Sequence, residues 1–280
     1  MAGAAGGRET RRVALVVSCE HGGNRVPAPY RSLFEGAAGA LESHRGYDAG
    51  ALEVARALAS AGRAPLVAAR TTRLLVDLNR SLHHPKLYSE LSRGLAGEQK
   101  QRLLARHYLP HRARVESLVA DGVSRGCFVL HVASHSFTPV LGGRERRADV
   151  ALLYDPRRAS EKAFADAWLD ALAEASPGWR LRRNFPYRGT ADGLTTHLRR
   201  RFDERQYAGL ELEVSQRLVG SADWPGTVRA LAASLTRVLA ARGAASLLAQ
   251  GSGNRRRWPR PSSGQRPSAR SIKQRSKDSR

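Results

Sequence analysis

The sequence predicts one α/β domain built on a mixed, mostly parallel central sheet flanked by helices. Short apolar runs alternate with amphipathic helical stretches along most of the 280 residues, and no internal repeat interrupts them. Several of the apolar runs also end in histidines, carboxylates or arginines. Open α/β sheets place their ligands there, beyond the carboxyl ends of the strands.

The first strand is expected over 13–18, where "VALVVS" carries no charge before the chain turns through Glu20-His21-Gly22-Gly23-Asn24 to Pro27. A helix follows over 49–60, with Leu52, Ala55, Leu58 and Ala59 at three- and four-residue spacing. Strands are expected at 65–69 and 74–78, the second within "LLVDLNRS". A long helix spans 97–124, and a strand at 127–133 runs into His135-Ser136. Beyond it come a strand at 150–154, a helix at 161–175, a strand at 179–182, a helix at 192–201 and a strand at 209–214. The last helix, 226–241, begins after Pro225, a residue that suits a helix start.

Composition narrows the class. A hydrophobic fraction of 41% is ordinary for a globular protein, and no apolar run approaches the ~18–20 residues of a membrane span. The first residues, "MAGAAGGRETRR", lack the apolar stretch of a secretory signal, so a cytoplasmic location is the expectation. Cys19 and Cys127 read as two buried thiols rather than a disulfide framework. Net charge is +22, but residues 251–280 hold ten Lys/Arg against one Asp, leaving +13 for the rest. That tail is Gly-, Ser-, Pro- and Arg-rich and is expected to be disordered, with weak contact to nucleic acid or an acidic surface as its reach. The domain plan is therefore a flexible 1–12, a catalytic domain over 13–250 and a basic tail over 251–280.

Chemistry collects at the strand ends. His21 and His135 follow separate strands and can converge on one metal ion, with a third ligand from Asp48 or from Glu20. Gly22-Gly23 would let the backbone bend sharply beside the ion. Glu211 and Glu213, two apart on a strand, share one face; one suits a general base, and the other suits an arginine of "LRRRF". Asn79 and Arg80 suit a substrate carboxylate, since arginine offers a planar fork of donors and asparagine adds an amide. His107 and His111 are read as surface residues, and His131 as a neighbour of the site at most.

The segments "SCEHGGNRVP", "HRGYDAGA", "DLNRS", "HSFTP", "RRADVALLYDP", "NFPYRGTADGLTTHLRR" and "YAGLELEVSQ" resemble, in order, the N-formylglutamate amidohydrolase family, over roughly residues 13–240. That resemblance implies a zinc carboxypeptidase-like fold related to aspartoacylase and succinylglutamate desuccinylase. It implies one Zn2+ ion held by His21 and His135, with Glu213 as general base. It also implies pocket roles for Asn79, Arg80, Arg146, Asn184, Tyr187 and Arg188. The expected reaction is hydrolysis of the amide of a small anionic N-acyl amino acid such as N-formylglutamate by zinc-activated water. The wider superfamily takes its first two ligands from His-x-x-Glu, whereas Asn24 stands at the fourth position here. Asp48 is the candidate for the missing carboxylate, with Glu20 second.

Overall fold

The structure, a computed structural model, describes residues 12–241. The expected tail over 251–280, and the expected flexible N-terminus apart from Arg12, lie outside the described residues. Among the described residues eight strands form: β1 (Val13–Cys19), β2 (Leu66–Ala68), β3 (Phe128–Phe137), β4 (Val140–Leu141), β5 (Arg144–Glu145), β6 (Val150–Leu153), β7 (Leu181–Arg183) and β8 (Tyr207–Ser215). Six of them make one sheet in the order β2-β1-β3-β8-β6-β7, and β4 and β5 pair as a separate small hairpin. β2, β1, β3 and β8 run parallel, while β6 is antiparallel to β8 and parallel to β7. The single mixed, mostly parallel α/β domain is thus as expected.

The helices are α1 (Ala38–Glu42), α2 (Ala51–Ala61), α3 (Gly97–Leu103), α4 (Leu109–Ser124), α5 (Ala159–Ala175), α6 (Leu194–Arg199), α7 (Gln216–Val219) and α8 (Trp224–Leu239). Among the described residues none is long and apolar enough to cross a membrane. Two-residue alternation along β8 decides what each sheet face does. Ala208, Leu210, Leu212 and Val214 enter the main core with residues of α2, α5 and α8. Tyr207 enters a smaller cluster on the opposite face, beneath Val115, Leu118, Leu194 and Leu198 of α4 and α6. Glu211 and Glu213 share that second face with Tyr207, further toward the carboxyl end of the strand. A one-residue slip would exchange leucines for glutamates throughout, so the pattern fixes the register strongly.

Three expectations change. Residues 74–78 form a turn and not a strand, although Leu74, Leu75, Val76 and Leu78 are all buried. They fill a second core with Tyr30, Phe34, Leu87, Leu103 and Tyr108, so their apolar run reflects burial without a ladder. The helix expected over 97–124 is divided into α3 and α4 by a widened, five-residue-spaced turn at Leu104–Tyr108, just ahead of Pro110. Proline has no N–H to give, and a wide turn is a place where a helix tolerates that loss. Gly22 and Gly23 have no positive φ. A Cβ on Gly22 would stand 2.9 Å from the Ala69 carbonyl oxygen, and one on Gly23 2.9 Å from that of Arg70. These glycines therefore admit a crossing backbone and do not serve a left-handed turn.

Asp149 anchors the antiparallel side of the sheet. It is buried and accepts hydrogen bonds from the Arg180 backbone N–H at 2.8 Å and from the guanidinium groups of Arg180 and Arg217. Burial opposes its charge, but the arginines hold its carboxyl below the usual range. A lowered folded-state pKa contributes stability that is present above about pH 4 and lost as pH falls. Asp149→Asn is expected to lose about 1–3 kcal/mol at pH 7. In denaturant titrations the gap from wild type should narrow below about pH 4.

Candidate metal centre and active site

The site lies on the sheet face that carries Glu211 and Glu213, at the carboxyl ends of β1, β3 and β8. His21 sits in the turn immediately after β1, and His135 is near the end of β3 with Glu213 beside it as its β8 register partner. Asp48 precedes α2 and is tied to the first turn, because its backbone N–H donates to the His21 carbonyl at 2.9 Å. All four side chains are buried.

Both histidines turn the same nitrogen toward one carboxylate oxygen. Nδ1 of His21 is 3.3 Å from Asp48 Oδ2, and Nδ1 of His135 is 2.8 Å from it. His21, Asp48 and His135 offer ligand atoms that all lie within 4.8 Å of one another. The opposite nitrogens face other carboxylates. Nε2 of His21 bonds Asp77 Oδ1 at 2.7 Å, and Nε2 of His135 lies 3.3 Å from Glu20 Oε2. An imidazole that ligates through one nitrogen needs its other N–H held, and carboxylates are common holders. The donor set, two imidazoles and a carboxylate with carboxylates behind the rings, fits a borderline divalent ion such as zinc.

The charges reinforce this. Burial opposes ionisation of Asp48, yet His21, His135 and Arg73 keep its carboxyl well below the usual range. Asp77 is likewise held low, against burial, by Arg73 and His21, and Glu20 by His111 and His135. Burial disfavours the charged form of His135, but Asp48 and Glu20 push its pKa well up. Three buried carboxylates thus surround the two imidazoles, with Arg73 bridging Asp48 and Asp77, an environment suited to a cation. Glu213 is the exception. Burial, with help from Asp48 and Glu211, pushes its pKa up to about 8, and its Oε2 has no hydrogen-bond partner among the described residues.

A cavity of about 130 Å3 opens onto these groups, lined by His21, Asp48, His135 and Glu213 together with Asn79, Arg80, Tyr187 and Arg188. Asn79 Oδ1 accepts from the Leu194 N–H at 2.7 Å, and Arg80 Nη1 donates to the Asp192 carbonyl at 3.2 Å. Tyr108 and Arg112 brace this loop from behind through the Arg80 carbonyl, at 2.8 and 3.4 Å. Arg146 lines an adjoining cavity shared with Asp48, Arg73 and Tyr187, and its Nη2 is 3.3 Å from the Tyr187 hydroxyl. Asn184 is placed differently: its Oδ1 accepts from the backbone N–H groups of Tyr154 and Gly189, which shapes the loop without lining either cavity. Glu211 accepts from Thr195 Oγ1 at 2.6 Å and not from an arginine; Arg199 bonds Glu161 instead.

Several contributors escape a reading of the sequence. Arg73 bonds both Asp48 and Asp77, at 3.2 and 2.8 Å, from a loop in which nothing local announces that role. His111, expected at the surface, is buried with its Nε2 3.2 Å from Glu20 Oε1. A signal existed: His111, Val115, Leu118 and Gly122 recur at helical spacing and are all buried. Asn24 lies away from the metal centre and donates to the Leu41 carbonyl at 3.2 Å. His131, which shares the His135 face, is buried between Ser18 Oγ and the Tyr207 hydroxyl, at 2.8 and 2.9 Å.

Residues 13–219 match the N-formylglutamate amidohydrolase family. The chain belongs to that family. Membership makes it an amidohydrolase-type hydrolase. Among solved structures, it is similar to a gene product of Agrobacterium tumefaciens, at 29% identity and a TM-score of 0.69, over 85% of this chain and 93% of that one. It also shares its fold with an N-formylglutamate amidohydrolase from Ralstonia eutropha JMP134, at 21% identity and a TM-score of 0.61, over 84% and 96% of the two chains. No curated protein matches the chain.

Proposed function

We propose that this family member is a metal-dependent deacylase that hydrolyses the amide of a small N-acyl acidic amino acid, with N-formylglutamate as the reference substrate. The observation that carries this reading is the convergence of the two Nδ1 atoms on Asp48 Oδ2, with Glu213 alongside bearing an unpartnered oxygen. His21, His135 and Asp48 would hold a divalent cation such as zinc, which would lower the pKa of the attacking water to about 7 and polarise the amide carbonyl. The chain's own residues do the rest. Glu213 Oε2 takes the proton of the attacking water and returns it to the leaving nitrogen, so that water is added across the C–N bond and a carboxylic acid and a free amine result. Burial raises the metal-free carboxyl to about 8, and a cation held by His21, His135 and Asp48 would draw it down toward neutrality, the range in which one group serves as base and then as acid.

Anionic recognition falls to the opposite wall. Arg188 forms no ion pair among the described residues, Asn79 keeps its amide N–H2 uncommitted, and Arg80 spends only part of its fork on Asp192. Together they suit the carboxylates of an acidic amino acid, with Arg146 and Tyr187 at the rim. Arg80→Ala is expected to raise KM for N-formylglutamate about 10- to 100-fold, with a smaller fall in kcat, because it removes about 1.5–3 kcal/mol of charge-assisted hydrogen bonding. The same variant should lose little toward an N-formyl amino acid whose carboxylates are amidated. Steady-state kinetics on both compounds tests the reading. No release of formate from either by the wild type would overturn it.

A further inference from the structure

Glu20 is fully buried, and among the described residues its carboxylate faces two histidines, one hydrogen-bonded to it and one in ion-pair contact. One is His135, a ligand in the reading above. Its Nε2 and Glu20 Oε2 stand 3.3 Å apart as an ion-pair contact, and neither atom has a hydrogen-bond partner among the described residues, so each is the nearest group the other has to turn to. The second is His111 on α4, whose Nε2 lies 3.2 Å from Glu20 Oε1. The widened turn at Leu104–Tyr108 and Pro110 come immediately before it, and His111 heads the buried stripe that packs α4 under the sheet. His111 is not among the residues lining the substrate cavity.

From this chain of contacts we propose that His111, acting through Glu20, is a positioning residue for the metal centre: it holds Glu20 in the orientation that fixes the ring and tautomer of His135. The proposal rests on the metal-dependent reading above. For His135 to present a lone pair at Nδ1, its proton must sit on Nε2, and Glu20 is the acceptor available there. A fully buried carboxylate held by one donor is costly and free to swing toward another partner. His111 supplies the second donor and fixes its orientation. The line His111–Glu20–His135 therefore ties α4, the end of β1 and the end of β3 into one support behind the ligand.

The test uses the full chain as wild type, His111→Leu, His111→Gln and Glu20→Gln. Zinc affinity is measured by competition with a chromophoric chelator, ligand geometry by the visible spectrum of the cobalt-loaded protein, and folding by the melting curve of the metal-free protein. His111→Leu is expected to bind zinc about 10- to 100-fold more weakly, with an altered cobalt spectrum. His111→Gln, which keeps a donor, should recover most of the affinity. If His111→Leu does not fold, Glu20→Gln carries the same expected weakening, since a neutral amide is a poorer acceptor for His135. Wild-type zinc affinity and an unchanged cobalt spectrum in folded His111→Leu, or in Glu20→Gln where it takes that place, would overturn the positioning role alone. So would His111→Gln binding as weakly as His111→Leu. A wild type without zinc affinity would overturn this role and the metal-dependent reading together.

Discussion

Glu213→Gln is expected to lower kcat for N-formylglutamate by about 10^2- to 10^4-fold, the usual contribution of a positioned general base, while zinc still binds. The substitution keeps volume and polarity but leaves no atom able to accept the proton of water. KM should move far less than kcat, since in the proposed reading Glu213 acts on the reacting bond while the arginines of the same cavity receive the carboxylates. Stopped-time assays of formate release, beside a zinc titration of the variant, separate lost proton transfer from lost metal. The variant has a second signature in the metal-free protein. Burial raises the Glu213 pKa from its ordinary value to about 8, so between about pH 4.5 and 8 the folded state holds a proton that the unfolded chain releases. That group makes stability fall as pH rises through this window. Glu213→Gln should flatten this part of the pH profile in denaturant titrations.

Asp48→Asn is expected to weaken zinc binding by more than about 100-fold, beyond the 10- to 100-fold typical of groups one shell further out. Activity at limiting zinc should fall in proportion. The same carboxylate also ties its neighbours together, accepting from Arg73 and lying within 3.3 Å of both rings. Removing its charge leaves Arg73 and the two histidines with one anion fewer in a buried setting. The metal-free variant should therefore lose about 3–5 kcal/mol at pH 7, measured by denaturant unfolding. The sign follows from the lowered carboxyl pKa: that stability is present above about pH 4 and disappears as pH falls. Tight zinc binding by Asp48→Asn would remove Asp48 from the ligand set.

Much of this site could be read from local pattern. "LELEV" alternates so that leucines and glutamates must take opposite faces, and in the sheet Leu210 and Leu212 enter the core while Glu211 and Glu213 line the cavity. His21 and His135 stood at strand ends, where the parallel topology of β1 and β3 brings them together. What escaped depends on contacts far apart in sequence. The partners of the two imidazole rings, Asp77 for His21 and Glu20 for His135, are 56 and 115 residues away along the chain. Nothing in "RLLVDLNR" distinguishes a strand from a turn buried in its own small core, because both hide the same leucines. His111 was obscured by Pro110 beside it, which reads as an interruption of the helix whose buried stripe His111 begins.

The most direct test is to remove and restore the metal. The chain as purified is predicted to carry one equivalent of divalent ion, to lose N-formylglutamate hydrolysis on treatment with a strong chelator, and to regain it on adding zinc. The metal-free form should also melt at lower temperature than the loaded one, since a ligand that binds only the folded state stabilises it. Undiminished hydrolysis by protein shown to be metal-free would contradict the account.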